Sequence, residues 1–365
     1  MNKGVKKLMA TALMCTLIVS MFAGCSKKEE ETSADAGSDY TINLGYYNCD
    51  HMTAAPIAEK AGIYKKNGLN VKVTGNGKVP EAMAAGKMDA GYIGITGAYR
   101  ATKKNVPLMV GANNHIGGSY YLVTSKDITD PKQLVGEKLG IGTEPETDVA
   151  WVEIARKLGI PAEGKNYQGL DFNSSTDAIL ALKTGKIKGF TTCDPWASLA
   201  EHEGAGKIFA DFKGPGDQFS VCCTFTLNKN FVDKYPELAK KLVKSHVEAI
   251  KFMYTKPTEA AKIFAEAYKV PMEVALNTIH KKTVGEGRTI TWEADRAGFD
   301  RDMAANKAID PDFKDIKVED LLKEDYIKSL NLESFNDFIK KDVDKNFPVG
   351  MKFEDWKKKI SELGI

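Results

Sequence analysis

From Tyr40 onward the hydrophobic pattern changes period every few residues, and this alternation constrains the fold more than any other feature of the chain. Ile42, Leu44 and Tyr46 alternate as in a strand, Ala54 to Lys60 reads as a short helix stopped by Gly62, and Leu69 to Val73 is strand-like again. Pro80 to Gly86 is helical, with proline suited to the first turn and glycine to the stop. Ala90 to Ile95 is a glycine-rich buried strand, Gly97 to Lys104 a helix and Pro107 to Ala112 a strand. Such short alternation predicts an α/β fold.

The same pattern resumes beyond Tyr120 to Thr124, itself strand-like. Leu139 to Gly142 predicts a strand, and Thr147 to Leu158 a helix with Val149, Val152, Ala155 and Leu158 on one face. Thr176 to Thr184 is a helix capped by Ser175 or Thr176, Lys188 to Cys193 a strand, and Pro195 starts another helix. Val221 to Leu227 is the last strand; from Phe231 the chain is mostly helical, with Pro236, Pro257 and Pro271 at helix starts. About 325 residues follow Ser38, more than one core usually organises, so two lobes are expected. Their boundaries are placed at 40–124 for the first part of lobe 1, 125–224 for lobe 2, and 225–365 for a return to lobe 1 and the C-terminal helices. The hinge would lie near Val123 to Ser125 and Phe225 to Leu227.

The first residues carry a different signal. Lys3, Lys6 and Lys7 precede an apolar run from Leu8 to Phe22 and then Ala23-Gly24-Cys25, the layout of a secretory signal rather than a spanning helix. Phe22-Ala23-Gly24-Cys25 resembles the lipobox of bacterial lipoproteins, so residues 1–24 are expected to be removed and Cys25 to carry lipid. Residues 25–39 mix charge with Ser, Ala and Gly and predict a solvated tether. Without the three leader lysines, 51 basic side chains become 48 against 49 acidic, an essentially neutral mature chain. No positive excess exists to drive counterion release, so nucleic acid is not an expected partner. No later apolar run approaches ~20 residues, so a role in transport would require separate membrane subunits. Four cysteines remain in the mature domain, Cys49, Cys193, Cys222 and Cys223, and they are expected to be thiols, the adjacent pair having poor geometry for a mutual disulfide.

Ligands of doubly wound sheets sit outside the carboxyl ends of strands. Five places qualify: Asn48-Cys49-Asp50-His51, Thr96-Gly97, Gly118-Ser119-Tyr120, Thr143-Glu144-Pro145-Glu146-Thr147 and Cys193-Asp194-Pro195-Trp196.

The ordered series of segments Pro56 to Tyr64, Asn67 to Val71, Ala85 to Ala90, Asp130 to Lys138, Asp194-Pro195-Trp196 and Phe231 to Glu237 resembles the solute-binding proteins of ABC importers for nitrate, taurine, alkanesulfonates, bicarbonate and thiamine pyrimidine precursors. The resemblance covers Tyr40 to about Tyr268. It implies a two-lobe periplasmic-binding-protein-like (type II) fold with an interlobe ligand cleft, and ligand contacts at Asn48, Asp50, His51, Thr96, Gly97, Ser119, Thr143, Glu146, Thr147, Asp194 and Trp196. It also implies a small polar solute and ABC permease and ATPase subunits as partners. The protein would be a monomer held to the membrane by its lipid, with no enzymatic activity, no cofactor and no metal.

The residue chemistry is compatible with such contacts. Thr147 and nearby amides can donate to an oxyanion, Ser119 and Thr96 add neutral donors, Trp196 offers an apolar wall, and Asp194 accepts from an amine or amide. Duller readings stand beside these: Asp194 as a helix cap, Trp196 as core, His51 and His115 as satisfied loop residues. Glu144 and Glu146 repel a simple anion, so a zwitterionic or heterocyclic ligand competes with one. Pyrimidine-synthesising enzymes share the fold, and Cys222-Cys223-Thr224-Phe225 is a short echo of their cysteine-rich segment, too short to transfer the activity. A soft metal is a third reading: Cys49, His51, His115, Cys193 and Cys222 lie near strand ends, though without CxxC or HxxxH spacing.

Overall fold

A computed structural model describes residues 39–47, 49–75, 78–117 and 120–365, and for Asp50 the backbone alone. The expected leader, Cys25 and most of the tether, together with Asn48 and Ser119, lie outside the described residues. Among the described residues, ten strands form two five-stranded sheets. In chain order they are β1 (Thr41–Tyr46), β2 (Asn70–Gly75), β3 (Ala90–Gly94), β4 (Leu108–His115), β5 (Tyr120–Thr124), β6 (Lys138–Gly140), β7 (Gln168–Gly169), β8 (Gly189–Cys193), β9 (Lys207–Phe212) and β10 (Cys223–Asn228).

The first sheet has the order β2-β1-β3-β10-β4, and the second β7-β6-β8-β5-β9. β1 pairs in parallel with β2 and β3, while β10 runs antiparallel to both β3 and β4. The carboxyl ends of β1, β3 and β4 therefore share one edge with the amino end of β10. In the second sheet β6 is parallel to β7 and β8, and β5 is antiparallel to β8 and β9. Here the carboxyl ends of β6, β8 and β9 share an edge with Tyr120, the first residue of β5.

The chain passes between sheets twice, from His115 to Tyr120 and from Phe212 to Cys223. Both crossings lie earlier than the sequence places them. Tyr120–Thr124 belongs to the second sheet, so Val123 to Ser125 is not a crossing, and Cys223 and Thr224 already belong to the first. At the first crossing Gly117 has φ +85°, and a Cβ built there would stand 1.8 Å from the Lys213 carbonyl oxygen. Only glycine lets the two connections approach so closely.

Helix Pro236–Thr255 lies over the first sheet and buries Leu242, Val243, Ile250 and His246. His246 stacks on Phe225 of β10 with ring centroids 4.9 Å apart. Its Nε2 lies 2.8 Å from the Asn113 carbonyl and its Nδ1 2.9 Å from the Tyr92 hydroxyl. A carbonyl can only accept, so Nε2 carries the proton and Nδ1 accepts from Tyr92. Further along, Met272–His280 continues into a wider turn, Lys281–Gly285, that grips the second sheet. Lys282 Nζ donates to the Tyr121 hydroxyl at 2.9 Å and pairs with Glu286 at 2.6 Å. Most predicted elements appear within a residue or two; β7 and β9 were not expected. No disulfide links Cys49, Cys193, Cys222 and Cys223.

Candidate functional site

The two polar sheet edges face each other across a cavity of about 510 Å³. The first-sheet side is built by Ile95, Thr96 and Arg100 of helix Ile95–Lys103, by Gly117, and by Ser220, Val221 and Cys222 ahead of β10. The second-sheet side is the Gly142-Thr143-Glu144-Pro145 turn after β6, the start of helix Val149–Leu158, Asp171 after β7, and Phe212 to Pro215 after β9. Helix Arg296–Ile309 closes the cavity with Asp302 and Asn306, one turn apart.

Among the described residues, four carboxylates line this space, Glu144, Asp148, Asp171 and Asp302, against two cations, Arg100 and Lys213. Arg100 is already engaged, its Nη2 donating to Asp310 at 2.9 Å. Asp148 accepts from the amides of Ala150 at 2.8 Å and Trp151 at 3.4 Å, capping its helix. Burial nevertheless pushes its carboxyl up, because the two amide donors recover only part of the lost hydration. Burial pushes Asp302 further, to about 8, helped by the neighbouring Cys222. Near neutral pH Asp302 is thus chiefly the protonated acid and can donate as well as accept. Asn306 Nδ2 donates to Asp302 Oδ2 at 3.1 Å, and the Thr96 hydroxyl donates to Asn306 Oδ1 at 3.4 Å. The wall is polar, mixed in charge and largely interconnected.

At the first-sheet edge a second cluster stands behind Cys222. His51 is carried by the turn after β1, His115 ends β4, and Cys222 precedes β10, its amide donating to the His115 carbonyl at 3.0 Å. The donor atoms of these three side chains lie within 4.8 Å of one another. The imidazoles stack with centroids 5.2 Å apart, and Cys49 Sγ lies 3.0 Å from His51 Nε2. A hydrogen bond from Cys223 and the two imidazoles hold the Cys222 thiol well below its usual range, outweighing burial.

Of the residues expected at the site, Thr96, Thr143 and Thr147 line the cavity. The Thr147 hydroxyl donates to the Glu144 carbonyl at 2.8 Å, so it shapes the turn. His51 sits in the cluster behind Cys222 rather than on the cavity wall. Gly97 is exposed on its helix and off the lining, and Glu146 points away, accepting from the Gly164 amide at 2.9 Å. Trp196 is half-buried against the core at the start of helix Trp196–His202. Asp194 stands apart from the cavity lining. It is 0% exposed, with Oδ1 accepting from the Ser198 amide and hydroxyl, both at 2.9 Å, and Oδ2 pairing with Lys281 at 3.1 Å. It ties the second sheet to the C-terminal helices and does not reach the cavity. Asp148, Asp171, Asp302 and Asn306 were missed; Asp148 alone carried a local signal, one residue after Thr147.

Residues 35–268, well over half of the chain, match the NMT1-like family. The taurine-binding periplasmic protein of Escherichia coli (strain K12) is 26% identical over 191 residues, covering 51% of this chain and 58% of that protein. The chain thus spans less than two thirds of the length of the curated relative it matches. Among solved structures, the alkanesulfonate-binding protein SsuA from Xanthomonas axonopodis pv. citri, bound to MOPS, superposes with a TM-score of 0.63 at 14% identity, over 78% of this chain and 98% of that one. The periplasmic nitrate-binding protein NrtA from Synechocystis PCC 6803 gives a TM-score of 0.62 at 17% identity, over 89% and 98%. They share its fold, two α/β lobes with a cleft between them, the periplasmic-binding-protein architecture. By the match over residues 35–268, the chain belongs to the NMT1-like family.

Proposed function

We propose that this protein is the extracytoplasmic solute receptor of an ABC importer, exported by residues 1–24, lipid-anchored through Cys25, and acting by binding rather than by bond chemistry. The observation that carries this reading is the cavity of about 510 Å³ at the opposed strand ends of two sheets joined by two crossings. A solute touching both walls is held fully only when the lobes are closed, so binding shifts the population toward the closed form. The permease and ATPase subunits then respond to that shape. Motion is assigned to the crossing 213–222 and to the turn at Gly117 that packs against it.

The solute is small and polar, of the sulfonate, taurine, nitrate and bicarbonate class. Within that class the mixed wall favours a zwitterion such as taurine: its ammonium suits Asp148 and Asp171, and its anionic end suits Arg100 and the backbone amides of Thr143 and Glu144. A thiamine pyrimidine precursor is the second reading, favoured by carboxylates that outnumber cations and can accept from ring amino groups.

A thermal-shift screen of the purified mature protein against taurine, alkanesulfonates, nitrate, bicarbonate and aminopyrimidines tests this. A specific ligand at a hundred times its dissociation constant adds about 2.7 kcal/mol of stability. No shift with any of them would refute the assignment of solute class.

A further inference from the structure

We infer that His51, His115 and Cys222 form a binding site for one thiophilic transition-metal ion of the zinc class, set in the first-sheet wall of the cleft. The inference goes beyond the solute-receptor reading and does not depend on it.

Three observations support it. The first is position. The residues come from three different strand ends, yet the topology gathers them at one edge: the turn after β1, the last residue of β4 and the entry to β10. β4 and β10 are paired through His115 and Cys223, so two of the three donors stand on rigid, mutually hydrogen-bonded backbone. The second is distance. All three donor atoms lie within 4.8 Å of one another. Zinc bonds of ~2.0 Å to nitrogen and ~2.3 Å to sulfur put tetrahedral ligands roughly 3.3 to 3.7 Å apart, so contraction by about an ångström, within reach of side-chain rotations, closes the site. The third is donor type. Two imidazoles and a thiolate select zinc-class and softer ions over magnesium or calcium, which take oxygen.

The arrangement also distinguishes an open site from a closed structural one. Four protein ligands would seal a tetrahedral ion, whereas three leave a position vacant. Cys222 lines the cavity as well as the cluster, so the fourth position faces the cleft and can accept water or a donor atom of the solute. Cys49 Sγ, 3.0 Å from His51 Nε2, orients the His51 ring as a neighbour of the ligand set. Thiolate and neutral imidazole are the forms that bind a metal, so uptake is coupled to proton release.

The test uses the mature chain, reduced and stripped with a chelator, then titrated with Zn²⁺ by calorimetry and with Co²⁺ by absorption spectroscopy. The expected result is one ion per chain, with a thiolate-to-cobalt charge-transfer band. In Cys222→Ser that band is lost and zinc affinity falls at least tenfold; His51→Gln weakens zinc at least tenfold with the band retained. Cys49→Ser has a smaller effect than either. The cobalt spectrum of the unsubstituted protein needs no variant to fold, and metal-free melting curves check the variants. Absence of stoichiometric uptake, a cobalt spectrum without thiolate charge transfer, or zinc affinity unchanged in Cys222→Ser would overturn the inference. None of these results bears on the solute screen.

Discussion

The neutral histidine beneath helix Pro236–Thr255 makes stability depend on pH in a way that can be isolated. His246 is fully enclosed, and burial pulls its pKa from the ordinary value of 6.5 down to about 4, against the opposing pull of the Asn113 carbonyl. The folded state binds this proton more weakly than the unfolded chain. The stabilising contribution is therefore whole above pH ~6.5 and is lost as pH falls toward about 4. Each unit of difference is worth about 1.36 kcal/mol, so between pH 7 and pH 5 the folded state should lose about 2 kcal/mol through this residue alone. Other groups titrate in the same range, and Asp302 acts in the opposite direction, so the bare pH profile would mislead. The difference between wild type and His246→Gln removes the shared contributions. At pH 7 the variant should be less stable by about 1 to 3 kcal/mol, because the Tyr92 and Asn113 partners are no longer both met. That deficit should shrink by about 2 kcal/mol at pH 5. Urea unfolding followed by circular dichroism at pH 5, 6 and 7 measures both. A deficit that stays constant across the three values would mean that His246 is not held neutral, and the assigned tautomer would fall with it.

Asp194→Ala should cost about 3 kcal/mol in urea unfolding by leaving Lys281 and Ser198 without their carboxylate, and a loss under ~0.5 kcal/mol would show that the pair contributes nothing net. Asp302→Asn should be increasingly more stable than wild type as pH rises from 5 to 9. The raised pKa of Asp302 means that the native state binds this proton more tightly than the unfolded chain, so its contribution is whole below the unfolded value of 3.8 and is lost as pH rises toward about 8. A stability difference independent of pH would place the Asp302 pKa in the ordinary carboxylate range.

What the sequence made legible here is local, and what it hid is an outcome of topology. The strand ending at Tyr46 was visible from its alternating apolar residues, and those ending at Gly94 and Cys193 from short runs bounded by glycine or proline, signals that act over a few residues. β9 escaped because Lys207–Phe212 is only partly buried on both faces, which flattens the contrast that the pattern relies on. β4 was cut short at Ala112 because Asn113, Asn114 and His115 look like loop residues. They are buried by partners far along the chain, Asn113 receiving from His246 and donating through its amide nitrogens to Thr291 and Trp292 carbonyls. The site divides in the same way. Thr96, Thr143 and Thr147 follow strand ends, and the structure places them on the cavity lining. Asp302 and Asn306 sit on a helix whose polar face, read alone, belongs in water, and only the return of the chain turns it toward the cleft. Asp194 shows the converse: it follows a strand end as a ligand contact should, yet Lys281 from the C-terminal helices reaches it first. A strand end therefore predicts that a polar residue is near the cleft. Whether that residue meets a solute, a helix cap or another charge depends on which distant segment completes its shell, and in this chain the helices after β10 make that choice.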